Sequence, residues 1–205
     1  MTVQTTPTPA RSDIARQAPV VAPERPYRRH GLALSVGAAS WALGIALFGV
    51  NPTTTVGLIG YGITSGAFQV GLLFLIRALF RGRALGEGRV ARTVLRVEAG
   101  MVCLAMASTF VDTIQLSDLS QPGWLLLDAF WPFSMLGMFF IGIRIAVAGR
   151  WKAATRFWPL VAESWAVCVI PTMGILGESV ASVVAAVHLL VGYTVFGVLV
   201  SRKVD

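Results

Sequence analysis

The stretch GLLFLIRALFRGRALGEGRVARTVLRVEAGMVCLAMASTF, residues 71–110, decides the fold. An apolar run closes on Arg77, Arg81 and Arg83, three glycines (Gly82, Gly86 and Gly88) loosen the chain, and Arg89, Arg92 and Arg96 lead into a second apolar run. Apolar runs of roughly 20 residues match the hydrocarbon thickness of a bilayer. Short connections rich in Arg and Lys are retained on the cytoplasmic side during insertion. The segment therefore reads as two transmembrane helices joined by a short cytoplasmic loop.

The same pattern extends in both directions. Apolar stretches at about 31–50, 56–80, 94–116, 124–148, 157–176 and 179–200 give six predicted spans. Before the first span lie Arg11, Arg16, Arg25, Arg28 and Arg29. Arg144, Arg150, Lys152 and Arg156 flank the fourth connection, and Arg202 and Lys203 follow the last span. The alternate connections, 51–55, 117–121 and 177–178, hold no Lys or Arg, and Asp112, Asp118, Asp128 and Glu178 cluster near them. These placements predict an all-α integral membrane protein: a six-helix transmembrane bundle built from antiparallel hairpins, with both termini cytoplasmic. Residues 1–30 form a cytoplasmic tail, 31–201 the six-span domain and 202–205 a cytoplasmic C-terminus.

Composition supports one membrane domain. The chain is 55% hydrophobic and 13% charged, with a mean hydropathy of +0.71, whereas soluble domains carry about 25% charged residues. The net charge of +7 flanks apolar spans and shows no interleaving with aromatic residues, so anionic lipid headgroups, not nucleic acid, are its expected partner. The tail is rich in Thr, Pro and Ala without apolar periodicity and reads as disordered. Tyr27-Arg28-Arg29-His30 leads straight into a span without a small-residue cleavage site, which favours a juxtamembrane anchor over an export signal. Preference for Arg over Lys, with abundant Ala, Gly and Val, suggests a bacterial plasma membrane protein.

Small residues predict the faces where helices meet: Ala33, Gly37, Ser40 and Gly44 on the first span, Gly62 and Gly66 on the second. Cys103 and Cys168 fall within spans and read as packing residues.

Polar groups inside the spans are the candidates for function, because a charge at the centre of a membrane helix costs about 2.5–3.5 kcal/mol on insertion scales and is kept for a purpose or a partner. On the third span, Glu98, Ala105, Ser108, Thr109, Asp112 and Gln115 share one side of a 3.6-residue helix and form a polar stripe. Glu163 lies roughly 10 Å from the cytoplasmic end of span five and His188 roughly 13 Å from the outer end of span six, so the two are expected to meet near mid-depth. The candidate intramembrane polar site is Glu98, Asp112, Glu163 and His188, with Gln69, Ser108, Thr109 and Asp128 as additional lining.

Several chemistries lack their residues. With His30 in the tail, no second histidine exists for an intramembrane bis-His haem, Lys152 and Lys203 stand at helix ends where no retinal Schiff base forms, and HExxH, CxxC, Walker and dinucleotide motifs are absent. No metal site and no cofactor are expected. Ser134 on span four and His188 on span six resemble, in topology, the Ser/His dyad of rhomboid proteases. That resemblance would imply intramembrane proteolysis, but Pro132-Phe133-Ser134-Met135 departs from the Gly-x-Ser-x-Gly-like context that supplies oxyanion donors.

The reading that follows is a noncatalytic bundle that binds membrane lipid or a small solute, or that serves as a subunit of a membrane complex or homo-oligomer. One alternative is a small proton-coupled transporter using Glu163, His188 and the span-three stripe. Pro132 and Pro171 are the only mid-span prolines, however, and the broken helices typical of carriers are not evident in the sequence. The other alternative is an intramembrane enzyme of lipid or isoprenoid chemistry in which paired carboxyls divide acid and base roles.

Overall fold

The computed structural model describes residues 25–118 and 120–204. The expected tail falls outside the described residues up to residue 24, as does Asp205. Helices α1 (Arg28–Phe48), α2 (Thr55–Arg81), α3 (Arg89–Thr113) and α4 (Pro122–Ala148) are continuous. The fifth apolar stretch divides into α5 (Ala154–Glu163) and α6 (Trp165–Leu176), and the sixth into α7 (Glu178–Leu189), a π turn (Leu190–Thr194) and α8 (Val195–Arg202). Six helical units are thus long and apolar enough to cross a membrane, and the described residues contain no strand.

Sequential units pack side by side: α1 on α2, α2 on α3, α3 on α4, α4 on α5 and α6 on α7. The ring closes because α7, the π turn and α8 return to α1. Its centre is aromatic. The buried Trp41 stacks on Phe68 with ring centroids 5.0 Å apart, and lies 5.2 Å from Trp165 and 5.6 Å from Trp131. Phe68 in turn meets Tyr193 edge-on at 4.8 Å. Offset and edge-on pairs of this kind add about 0.5–1.5 kcal/mol beyond the area they bury, so five elements are joined through one cluster.

Closure between α1 and α8 depends on two glycines. A Cβ on Gly31 would run into the Gly197 carbonyl and the Ser201 backbone, and one on Gly197 into Gly31 and Ser35. Ser35 then donates from Oγ to the Thr194 carbonyl at 2.8 Å. Backbone contact at this range is what small residues allow. The expected small-residue faces hold at Gly37, Gly44 and Gly62, where Ala67 and Phe68, Thr64, and Thr113 respectively fill the space. Gly66 differs: nothing lies within 4 Å of its Cβ position, so it looks away from the neighbouring helices.

α1 starts at Arg28, with Tyr27 and His30 already buried. Tyr27 is held at the basic end, where the Lys203 ammonium sits 4.7 Å above its ring and Trp151 packs beside it at 6.3 Å. Glu87 in the α2–α3 loop pairs with Arg83 and Arg150, both at 3.2 Å and all exposed. At the opposite end, Thr54 caps α2 by accepting from Gly57 N–H at 3.1 Å, and Asn51 Nδ2 donates to Glu178 at 3.1 Å. In the α3–α4 connection, Asp118 accepts from the Ser120 hydroxyl, the Gln121 amide and the Ser120 N–H. These donors hold its carboxyl below the usual carboxylate range.

Candidate functional site

The polar residues singled out in the sequence separate into two groups, one opening at the acidic end of the bundle and one enclosed at its centre.

The first is a cleft of about 540 Å³ between α1, α2, α3 and α4. Helical periodicity brings Thr109 and Asp112 of α3 to its wall, opposite Asp128 of α4, and Ser108 lies against Asp128. Gln69 of α2, 1% exposed, donates from Nε2 to Thr109 Oγ1 at 2.8 Å, while its Oε1 has no partner. Trp41, Tyr61 and Trp131 complete the lining. Of the expected stripe, Thr109 and Asp112 of α3 line the cleft, with Gln69 and Asp128 facing them from neighbouring helices, whereas α3 ends at Thr113 and Gln115 reaches the lining from the turn beyond it, at φ 58°.

The second group is buried. Glu98 of α3 and Glu163 at the end of α5 are each 2% exposed and lie within electrostatic reach of one another. Tyr193, in the π turn, donates its hydroxyl proton to Glu163 Oε2. Glu163 Oε1, Glu98 Oε1 and the Ser134 hydroxyl have no hydrogen-bond partner, although Ser134 lies beside the Glu98 carboxyl. Glu98 fits because the facing residue is Gly137, where a Cβ would collide with its carboxyl.

Two irregularities build this arrangement. The fifth span breaks at Ser164, directly after Glu163, and Ser164 Oγ donates to the Val161 carbonyl at 2.9 Å. The sixth span widens into the π turn, whose Val191 and Gly192 carbonyls accept from Trp158 Nε1 at 3.2 and 3.0 Å. A π turn holds one extra residue and displaces the face that follows it. Tyr193 thereby takes the position facing Glu163, and the expected Glu163–His188 pair does not form. His188 Nε2 instead contacts Ser164 Oγ at 3.1 Å, and its Nδ1 has no partner. Since His188 engages Ser164, the Ser134/His188 dyad is not assembled. Sequence reasoning missed Tyr193 and Ser134 as members of the cluster. It also missed the break, which falls at Ser164, several residues from both prolines of this span, Pro159 and Pro171.

From Glu98 a groove of about 760 Å³ runs between α3 and α4 to the basic end. Val94, Val97, Met101, Phe140 and Ile141 make it apolar, and Arg144, Arg150 and Glu87 stand toward its mouth. Among the described residues no group of three or more His, Cys, Asp or Glu side chains is placed to hold a metal ion. Comparison with known protein families, curated proteins and solved structures finds no match to this chain.

The Tyr193–Glu163 contact is the specific interaction of the enclosed group, and removing one partner strands the other in the core. Tyr193→Phe is expected to lower stability by about 1–3 kcal/mol in detergent, and Glu163→Gln to lose less when combined with Tyr193→Phe than the separate changes add up to. A double-mutant cycle on thermal unfolding checks this. Strict additivity would show that the contact contributes nothing.

Proposed function

We propose that the protein resides in the bacterial plasma membrane as a multi-pass bundle, basic end in the cytoplasm, and holds a membrane amphiphile in the groove between α3 and α4. One observation carries the reading: a carboxyl 2% exposed, Glu98, has an unpartnered oxygen and lines a mainly apolar groove of about 760 Å³ that has charged residues toward its mouth. Buried polar atoms without partners are rare in folded proteins, and a ligand is one way to satisfy them. Pockets that take small molecules share this composition, with apolar walls and a few placed polar groups. Arg144 and Arg150 at the mouth suit an anionic headgroup. An O–H or N–H group on the same molecule would reach Glu98 from about two helical turns away, roughly 10 Å by helical rise. The basic end supports the orientation, since its Arg and Lys residues favour the anionic cytoplasmic leaflet.

Lipid retained through purification in mild detergent, extracted and quantified by mass spectrometry, tests the proposal. Arg144→Gln with Arg150→Gln is expected to cut retained anionic lipid at least threefold, and Glu98→Leu to change which species are retained. Lipid content and composition equal to wild type in folded variants would contradict the reading.

A proton-coupled carrier is the second reading, supported by the helix break and the π turn that flank Glu163 and Tyr193. Discontinuous helices surround the coupling sites of many carriers, and an enclosed carboxyl serves as a proton acceptor in such sites. In proteoliposomes with an imposed pH gradient this reading expects proton flux in the wild type and at least a tenfold loss in Glu163→Gln. Equal flux in the two proteins would dismiss it.

A further inference from the structure

The cleft at the acidic end makes demands that the α3–α4 groove does not. Asp112 and Asp128 face each other closely enough to repel. Stretches 30–76 and 97–143, which supply every wall of the cleft, contain no Lys or Arg, so among the described residues the lining brings no cation to these carboxylates. A second and independent observation points the same way: Gln69, which lines the cleft, is 1% exposed, its amide is fixed through Nε2 on Thr109, and its buried acceptor Oε1 has no partner. A buried acceptor with no donor costs about 1–3 kcal/mol unless something else provides one.

The remaining lining decides which cation fits. Tyr61, Trp131 and Trp41 contribute aromatic surface where a hard divalent ion would need further oxygen ligands, six to eight for calcium. Aromatic rings attract organic cations through their negative faces and also accept the apolar part of such a molecule. Two carboxylates and an amide oxygen without a partner among the lining residues suit a donor with several N–H bonds, which a quaternary ammonium lacks. At about 540 Å³ the cleft is large enough for a molecule with a ring or short chain behind the charge.

We propose that this cleft binds a primary organic ammonium, with the charged nitrogen between Asp112 and Asp128, one N–H directed to Gln69 Oε1, and the organic group against Trp131 and Tyr61. The cleft opens through Asn51, Pro52 and Ser117 at the end of the bundle that carries no basic residues, so the ligand enters from that side. The chemistry is shared by a soluble amine and by the ethanolamine headgroup of a lipid.

Isothermal titration of the full chain in detergent micelles at neutral pH, with phenethylammonium as probe and the neutral 2-phenylethanol as its control, tests the assignment. The expected result is saturable binding of the amine at least tenfold tighter than the alcohol. Asp112→Asn and Asp128→Asn should each weaken the amine at least tenfold, and Gln69→Leu at least threefold, while Asp118→Asn in the exposed connection leaves it unchanged. The two aspartates lie on different helices, so a folding defect in one variant leaves the other as the test, with circular dichroism and elution volume as controls. Absence of amine binding, equal binding of the alcohol, or full affinity in the folded aspartate variants would overturn the proposal. Repeating the titration in nanodiscs separates the two sources. Competition by phosphatidylethanolamine and not by phosphatidylglycerol assigns the site to a lipid headgroup, and no competition by either assigns it to a soluble amine.

Discussion

Separation of charge governs this molecule. Residues 30–76, 97–143 and 157–201 hold no Lys or Arg, yet they contain Glu98, Asp112, Asp128 and Glu163. Among the described residues, cations are confined to one end and to the connections there, so the interior carboxyls have no counter-ion within these stretches. In a medium of low polarity such groups need hydrogen-bond donors, water or a ligand. Each one is served differently. Glu163 has the Tyr193 hydroxyl, Glu98 has room beside Ser134 at the end of a groove, and the two aspartates line a cleft that opens at the acidic end.

Regular helices alone would not produce this distribution. The break at Ser164 ends α5 on Glu163, and the π turn brings Tyr193 round to meet it. Both departures from the α-helix are stabilised locally, by Ser164 Oγ on the Val161 carbonyl and by Trp158 Nε1 on the π-turn carbonyls. The aromatic cluster around Trp41 adjoins both groups: Trp41 and Trp131 line the cleft, and Phe68 packs on Tyr193. The two sites are therefore neighbours across a wall of rings.

Much of the architecture was legible because its causes are local and periodic. Apolar length and basic flanks mark all six spans, and a 3.6-residue period places Thr109 and Asp112 on one wall. What was hidden depends on departures from that period. On depth alone His188 and Glu163 are expected to meet, whereas Tyr193 in the π turn holds that place and His188 contacts Ser164. Pro132 lies inside the continuous α4, while the fifth span breaks at a serine, so proline position did not report the break. Gly66 completes a GxxxG spacing with Gly62, yet only Gly62 meets another helix, because spacing says that two residues share a face but not which face is covered. Gly137 and Ser134, which make space for Glu98, carry no sequence signal until the facing helix is known.

The charge separation acts in a cell only if the six helices lie in a bilayer with the basic end inside. Cysteine labelling tests this most directly, in a background where Cys103 and Cys168, both exposed, are replaced by Ser. Arg83→Cys at the basic end and Ser117→Cys at the acidic end are treated with a membrane-impermeant maleimide in intact cells and after permeabilisation. The account predicts that position 117 labels in intact cells and that position 83 labels only once the membrane is opened. Labelling of position 83 in intact cells, or recovery of the protein in the soluble fraction, would contradict it.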